Sequence, residues 1–170
     1  MPVSIHRPVA VFKVHPGVLA VAVLAALLLQ TLLPLKIRLA TLMDFPLLVV
    51  IYFTLIRRSR VYGIALGTGV GLLQDALSHG AIGIFGICKA IVGYLAAHAS
   101  TRFELESLTA RAVLTGVFVL VHELCKAALQ HLLLEVPPPL LPLNIASSVL
   151  VNVALGLIVF QVLDRFRLPA

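Results

Sequence analysis

Six stretches of the chain are almost wholly apolar, and charged, prolyl or glycyl residues separate them. Their lengths predict helices over about 17–34, 44–57, 60–78, 82–99, 107–134 and 143–163. Pro34 closes the first. Asp44-Phe45-Pro46 opens the second, with Asp able to cap free amides and Pro tolerated in a first turn. This second segment is short. From Phe45 to Ile56 it spans roughly 18 Å at about 1.5 Å per residue, against about 30 Å of hydrocarbon. Residues 35–43 therefore either extend it before a break or lie along the interface. The fifth segment is long, so tilt or a protruding end is expected. Pro137-Pro138-Pro139 then ends the helix and stiffens the turn. The first run follows Arg7 and Lys13, as a signal peptide would, but the remaining chain is equally apolar, so it reads as a permanent span.

The third segment carries the most specific pattern. Gly63, Gly67 and Gly71 recur every four residues and share one helix stripe, with Asp75 next on it. Glycines on one stripe let another helix approach closely, which matters in lipid because apolar helices have no hydrophobic reason to associate there. Gly86, Ala90, Gly93 and Ala97 form a similar stripe on the fourth segment, and Asn144, Ser148, Asn152 and Gly156 on the sixth. Ala22 and Ala26 are a weaker pair on the first.

Composition agrees with a membrane domain. Hydrophobic residues make up 61% of the 170 and charged residues only 12%, which excludes an ordinary soluble domain. The expected architecture is an all-α integral membrane protein, a compact bundle of six transmembrane helices over 17–163. Residues 1–16 and 164–170 form cytoplasmic ends. The net charge of +6 does not indicate nucleic acid, because the basic residues flank apolar segments. With the N-terminus inside, the cytoplasmic segments hold Arg7, Lys13, Arg57, Arg58, Arg60, Arg102, Arg111, Arg165 and Arg167, and the outer loops only Lys36 and Arg38. Nine against two sets both termini in the cytoplasm. Cys88 and Cys125 fall within segments and read as small apolar side chains.

Apart from Arg60 and Arg111 near their cytoplasmic ends, segments three to five hold four charges: Asp75, Lys89, Glu123 and Lys126. Each costs about 2.5–3.5 kcal/mol at mid-bilayer if left alone. They sum to zero, and Glu123 and Lys126 are neighbours at i,i+3, so pairing is expected. Three roles stay open for them: an ion-pair network fixing helix register, a partner-docking surface, or a path for ions or protons. No catalytic motif survives inspection. His122-Glu123-Leu124-Cys125-Lys126 begins like a zinc-protease motif but has Lys126 where the second histidine belongs. Gly67-Thr68-Gly69-Val70-Gly71 lacks the lysine of a phosphate loop. His79 reads as a loop histidine and His98 as an interfacial one. No cofactor and no metal is expected.

Taken in order, several motifs resemble the MreD family of bacterial rod-shape proteins. They are Leu55-Ile56-Arg57-Arg58, the run from Gly71 through Asp75 and Ser78 to Gly83, Gly93-Tyr94-Leu95-Ala96, His122-Glu123 and Asn152. Two features depart from the family pattern: Ala81-Ile82-Gly83 where a Pro-Leu-Gly turn is common, and the triple proline. The resemblance implies a noncatalytic scaffold of the rod complex, or elongasome, in the bacterial inner membrane, supporting peptidoglycan synthesis and cell shape. The implied partner is MreC and, indirectly, the MreB filament, the RodA glycosyltransferase and a penicillin-binding transpeptidase. It also implies a fold like the substrate-binding subunits of energy-coupling-factor vitamin transporters. The alternative function is a vitamin-type uptake subunit of such a transporter, which wants more aromatic side chains than this Trp-free chain offers.

Overall fold

The structure is a computed structural model and describes residues 15–78, 81–103, 107–135 and 142–166. Arg7, Lys13, His79, Pro137, Pro138, Pro139 and Arg167 lie outside the described residues. The described chain is helical. Six α-helices run in order: α1 Pro16–Leu32, α2 Phe45–Arg57, α3 Arg60–Ser78, α4 Ile84–Ser100, α5 Leu108–Leu134 and α6 Pro142–Asp164. Each end falls within two residues of the segment the apolar pattern predicts. Leu33–Leu35 carry α1 on by one short turn, and residues 36–43 do not extend α2. Residues 33–42 form two short 3-10 turns, Leu33–Leu35 and Arg38–Leu42, with extended backbone at Ile37 and Met43.

Helix α2 is the axis of the bundle. Every residue from Pro46 to Ile56 is buried, and α2 touches α1, α3, α4, α5 and α6. Its sequence explains this position, since a helix apolar on all sides has no face to offer water. Tyr52 is the largest side chain buried almost completely. It packs against Phe53 and Phe160 at ring-centroid distances of 5.3 and 5.4 Å. At 13 residues α2 is about 20 Å long, well short of a bilayer core. Three other stretches are long and apolar enough to cross a membrane: Pro16–Leu35, Leu108–Leu134 and Leu143–Asp164. Their outward faces are apolar too. Val21, Leu24 and Leu28 on α1, Val113 and Val117 on α5, and Leu150 and Ile158 on α6 are all exposed. The outside is greasy while charged groups lie within, an arrangement that suits lipid as the solvent.

The closest helix pair is α3 with α4. A Cβ built at Gly63 would overlap the backbone of Gly93, one at Gly67 the backbone of Lys89, and one at Gly71 the backbone of Phe85 and Gly86. Backbone meets backbone along the whole stripe, which no side chain permits. Gly69 lies off the stripe and a Cβ there meets nothing. Gly86 faces the Leu72 side chain and the Asp75 carboxylate. Gly156 brings α6 against Thr115 of α5 and Leu48 of α2.

These contacts separate two substitutions on one helix. Gly67→Leu should destabilise the purified protein by about 3 kcal/mol or more, because backbone cannot yield as a side chain can. Gly69→Ala should be neutral or stabilising by up to about 1 kcal/mol through helix propensity alone. Thermal unfolding in detergent measures both, and equal effects would remove the argument for a tight α3–α4 seam.

Candidate functional site

A helix that starts inside a bundle exposes amide hydrogens where water is scarce. Helix α2 does so at Asp44, and side chains from four other helices converge there. Asp44 Oδ1 accepts from the Leu47 N–H at 2.9 Å. Its other oxygen, Oδ2, takes the Lys89 ammonium of α4 at 2.7 Å. Asn152 of α6 accepts the Asp44 N–H through Oδ1 at 2.8 Å and donates through Nδ2 to the carbonyls of Leu42 and Ser148 at 2.7 and 2.8 Å. Gln30 of α1 accepts the Phe45 N–H at 3.1 Å and donates to the Met43 carbonyl at 3.0 Å. The N-terminal amides and the backbone of the preceding turn are thus matched almost group for group.

His122 of α5 completes the cluster. Its Nε2 lies 3.3 Å from Lys89 Nζ and 3.6 Å from Asp44 Oδ2. Its ring stacks on Phe85, centroid to centroid 6.0 Å with 12° between planes, and Lys89 Nζ stands 5.0 Å from the Phe85 centroid. Lys89 and His122 are both fully buried. The next residue on α5, Glu123, pairs with Lys126 at 2.6 Å and accepts from the Ser148 hydroxyl at 3.4 Å. His122 Nδ1 lies 3.9 Å from Glu123 Oε1. His122 Nδ1 makes no hydrogen bond, so Glu123 and Lys126 form a separate pair beside the α2 start, at a shallow cleft between α5 and α6 that Thr41, Gln130 and Asn144 also line.

Asp75 is not part of that cluster. The sequence groups it with Lys89, Glu123 and Lys126, whereas the structure turns its buried carboxylate onto the first amides of α4. It accepts from the N–H of Gly83 at 2.9 Å, Phe85 at 3.1 Å and Gly86 at 3.1 Å. The physical reason is the same as for Asp44: an anion satisfies the donors and the positive dipole end of a buried helix start. With Asp75 so engaged, Asp44 supplies the charge that balances Lys89. Asp44 and His122 are the members that sequence reasoning missed. An aspartate capping a helix too short to span, and a histidine set aside with a failed zinc motif, were the signals available.

The opposite end of the bundle has its own buried polar contacts. Arg111 of α5 pairs with Asp164 of α6 at 2.5 Å, and the Tyr52 hydroxyl donates to Asp164 at 2.9 Å. Arg111 is therefore buried within helix packing, although its position in the sequence suggests a loop charge. Arg60 and His98 meet at 3.2 Å between α3 and α4. Among the described residues, no three His, Cys, Asp or Glu side chains converge as a metal site.

An apolar exterior, helices joined through buried charges, and two helix starts capped by aspartate point to a helical membrane protein. The family described as rod shape-determining protein MreD matches residues 12–166, and the chain belongs to that family. Its role is accordingly rod-shape determination, in a family of structural membrane proteins that is not a known enzyme family. No curated protein and no solved structure matches the chain.

The two halves of the cluster should respond differently to substitution. Asn152→Leu leaves the buried Asp44 amide without its acceptor and should lower stability by about 2–3 kcal/mol. Lys126→Gln removes one partner of a partly exposed i,i+3 pair and should lower it by less than about 1 kcal/mol. Thermal unfolding of both purified variants checks the order; a reversed order would place the structural weight at Glu123 and Lys126.

Proposed function

We propose that this protein is a noncatalytic scaffold of the elongasome, seated in the bacterial inner membrane with MreC as its direct partner. Through MreC it links the MreB filament to RodA and the penicillin-binding transpeptidase that build the lateral wall. Family membership carries this reading. The geometry supports a structural role. The central charged groups are committed to helix ends and to one another, which suits holding a shape rather than turning over a substrate. No observation favours the uptake-subunit alternative.

The proposed topology has six spans over residues 17–163, with short cytoplasmic segments before and after. Arg57, Arg58, Arg60, Arg102 and Arg165 then lie on the cytoplasmic side, and the 3-10 turns with Lys36 and Arg38 on the outer side. In this frame the Asp44–Lys89–His122 cluster lies in the outer half of the membrane. The Glu123–Lys126 cleft is the proposed partner-docking element, because its charges are partly exposed between α5 and α6.

Two experiments test the reading. In a rod-shaped host, depletion should round the cells and disperse the elongation machinery, while the purified protein should neither polymerise the lipid-linked precursor nor hydrolyse nucleotide. Tight binding of a vitamin-like molecule together with co-purification of an energising ATPase would replace the scaffold with a transporter. For topology, an impermeant thiol reagent applied outside should label Lys36→Cys and spare Ser59→Cys in a background lacking Cys88 and Cys125. The opposite pattern would invert the orientation.

A further inference from the structure

At the end of the bundle away from the aspartate caps, basic side chains gather from three helices. Arg57 ends α2, Arg60 begins α3, and the left-handed backbone of Arg58 (φ 53°) makes the corner between them. Arg57 lies over the Tyr62 ring of α3, its guanidinium carbon 4.6 Å from the centroid. Arg60 Nη2 meets His98 Nδ1 of α4 at 3.2 Å. Arg102 follows His98 by four residues, just past the end of α4. Arg57, Arg60 and Arg102 are exposed, and Arg58 and His98 are half-buried. Among the described residues, no carboxylate pairs with any of the five. Asp164, the described acid at that end, is taken by Arg111 and Tyr52. Glu104 and Glu106 lie outside the described residues.

Arginines that only set topology need no common location, and like charges brought together repel unless an anion joins them. Arg60 donates to Nδ1 of His98, so the hydrogen of the neutral ring sits on Nε2. Arg60 keeps further N–H groups of its own. A guanidinium and an imidazole side by side offer the several donors that a phosphate accepts. The surroundings say what carries the phosphate. Val61 beside Arg60 is 79% exposed, and Phe103 beside Arg102 is 54% exposed. Exposed apolar side chains next to exposed arginines mark the boundary between acyl chains and water, where aromatic and basic side chains anchor. A phospholipid meets both, its phosphate at the arginines and its chains at Val61 and Phe103. An acidic peptide offers the charge without the apolar part.

We propose that the α2–α3 corner and the end of α4 form a binding site for the head group of an anionic phospholipid. Arg60 and His98 hold the phosphate, and Arg57, Arg58 and Arg102 supply the surrounding positive charge. The leaflet is the cytoplasmic one in the topology proposed above, but the site rests neither on that orientation nor on the scaffold role. It lies at the end of the bundle opposite the Asp44–Lys89 cluster and the α5–α6 cleft.

The test titrates the full chain in dodecyl maltoside micelles with phosphatidylglycerol or phosphatidylcholine, and native mass spectrometry counts the lipids retained. Wild type should retain one phosphatidylglycerol saturably, at concentrations where phosphatidylcholine is not retained. Arg60→Gln should need roughly fivefold more phosphatidylglycerol, as expected for one arginine at an anionic head group. His98→Phe, which keeps an aromatic ring but no donor, should weaken retention in the same direction and guards against a folding defect in the first variant. Arg165→Gln, at the same end of the bundle but on α6, should retain the lipid as wild type does. Equal retention of the two lipids by wild type overturns the proposal. So does equal weakening by Arg60→Gln and Arg165→Gln, since the arginines then act only through their number. Free glycerol phosphate and a Glu-rich peptide are added last as competitors, and neither should displace the lipid at equal concentration. Displacement by the first would assign the patch to a soluble anion, and displacement by the second to an acidic protein segment; either result overturns the lipid site.

Discussion

The first turn of α2 has to begin inside the bundle, and the rest of the molecule is arranged around that requirement. A 13-residue helix buried along its length cannot bring its N-terminal amides to water. Asp44 answers the need locally, but a buried carboxylate demands a cation in turn. Lys89 supplies it from α4 at 2.7 Å. Asn152, Gln30 and His122 then place α6, α1 and α5 around the same point. One helix end thereby fixes the relative positions of five helices, in a medium where apolar surface alone gives them little reason to choose one packing over another.

The glycine stripe and the ion pair are parts of one device. Gly67 lies against the backbone of Lys89. That close approach pins α4 laterally, so that the Lys89 side chain reaches α2. Gly71 sets α3 against Phe85 and Gly86, whose amides Asp75 holds from the same helix. Phe85 in turn stacks on His122. A change at the seam is thus felt at the α2 cap through a few rigid contacts. This fits a shape-determining membrane protein, whose task calls for a fixed surface.

Much of this was legible in the chain. Apolar runs bounded by Pro34, Asp44-Phe45-Pro46 and Arg57-Arg58 delimit helices because backbone propensity and capping act locally. The four-residue spacing of Gly63, Gly67 and Gly71 marks a contact face for the same reason. Three things were not legible. A helix that is apolar on every side gives no direction, so the central place of α2 could not be read from its residues. The Asp44–Lys89 pair joins residues 45 positions apart, and charge balance alone does not say which carboxylate a lysine meets. Asp75 illustrates this, because the turn geometry around Gly83 decides that its oxygens face amides. A void of about 290 Å³ between α1, α3 and the first turn of α4, beside Gln74, arises from light α1–α3 packing, which no local pattern encodes.

The central claim is that Asp44 and Lys89 act as one unit holding the start of α2. A double-mutant cycle of Asp44→Asn, Lys89→Met and the pair together measures it most directly, read as unfolding free energy of the purified protein. Each single variant should lose about 3–5 kcal/mol, because each leaves one buried charge without its partner. The double variant should lose clearly less than the sum, with a coupling of about 2 kcal/mol or more. Losses that simply add, or single variants as stable as the wild type, would contradict the account.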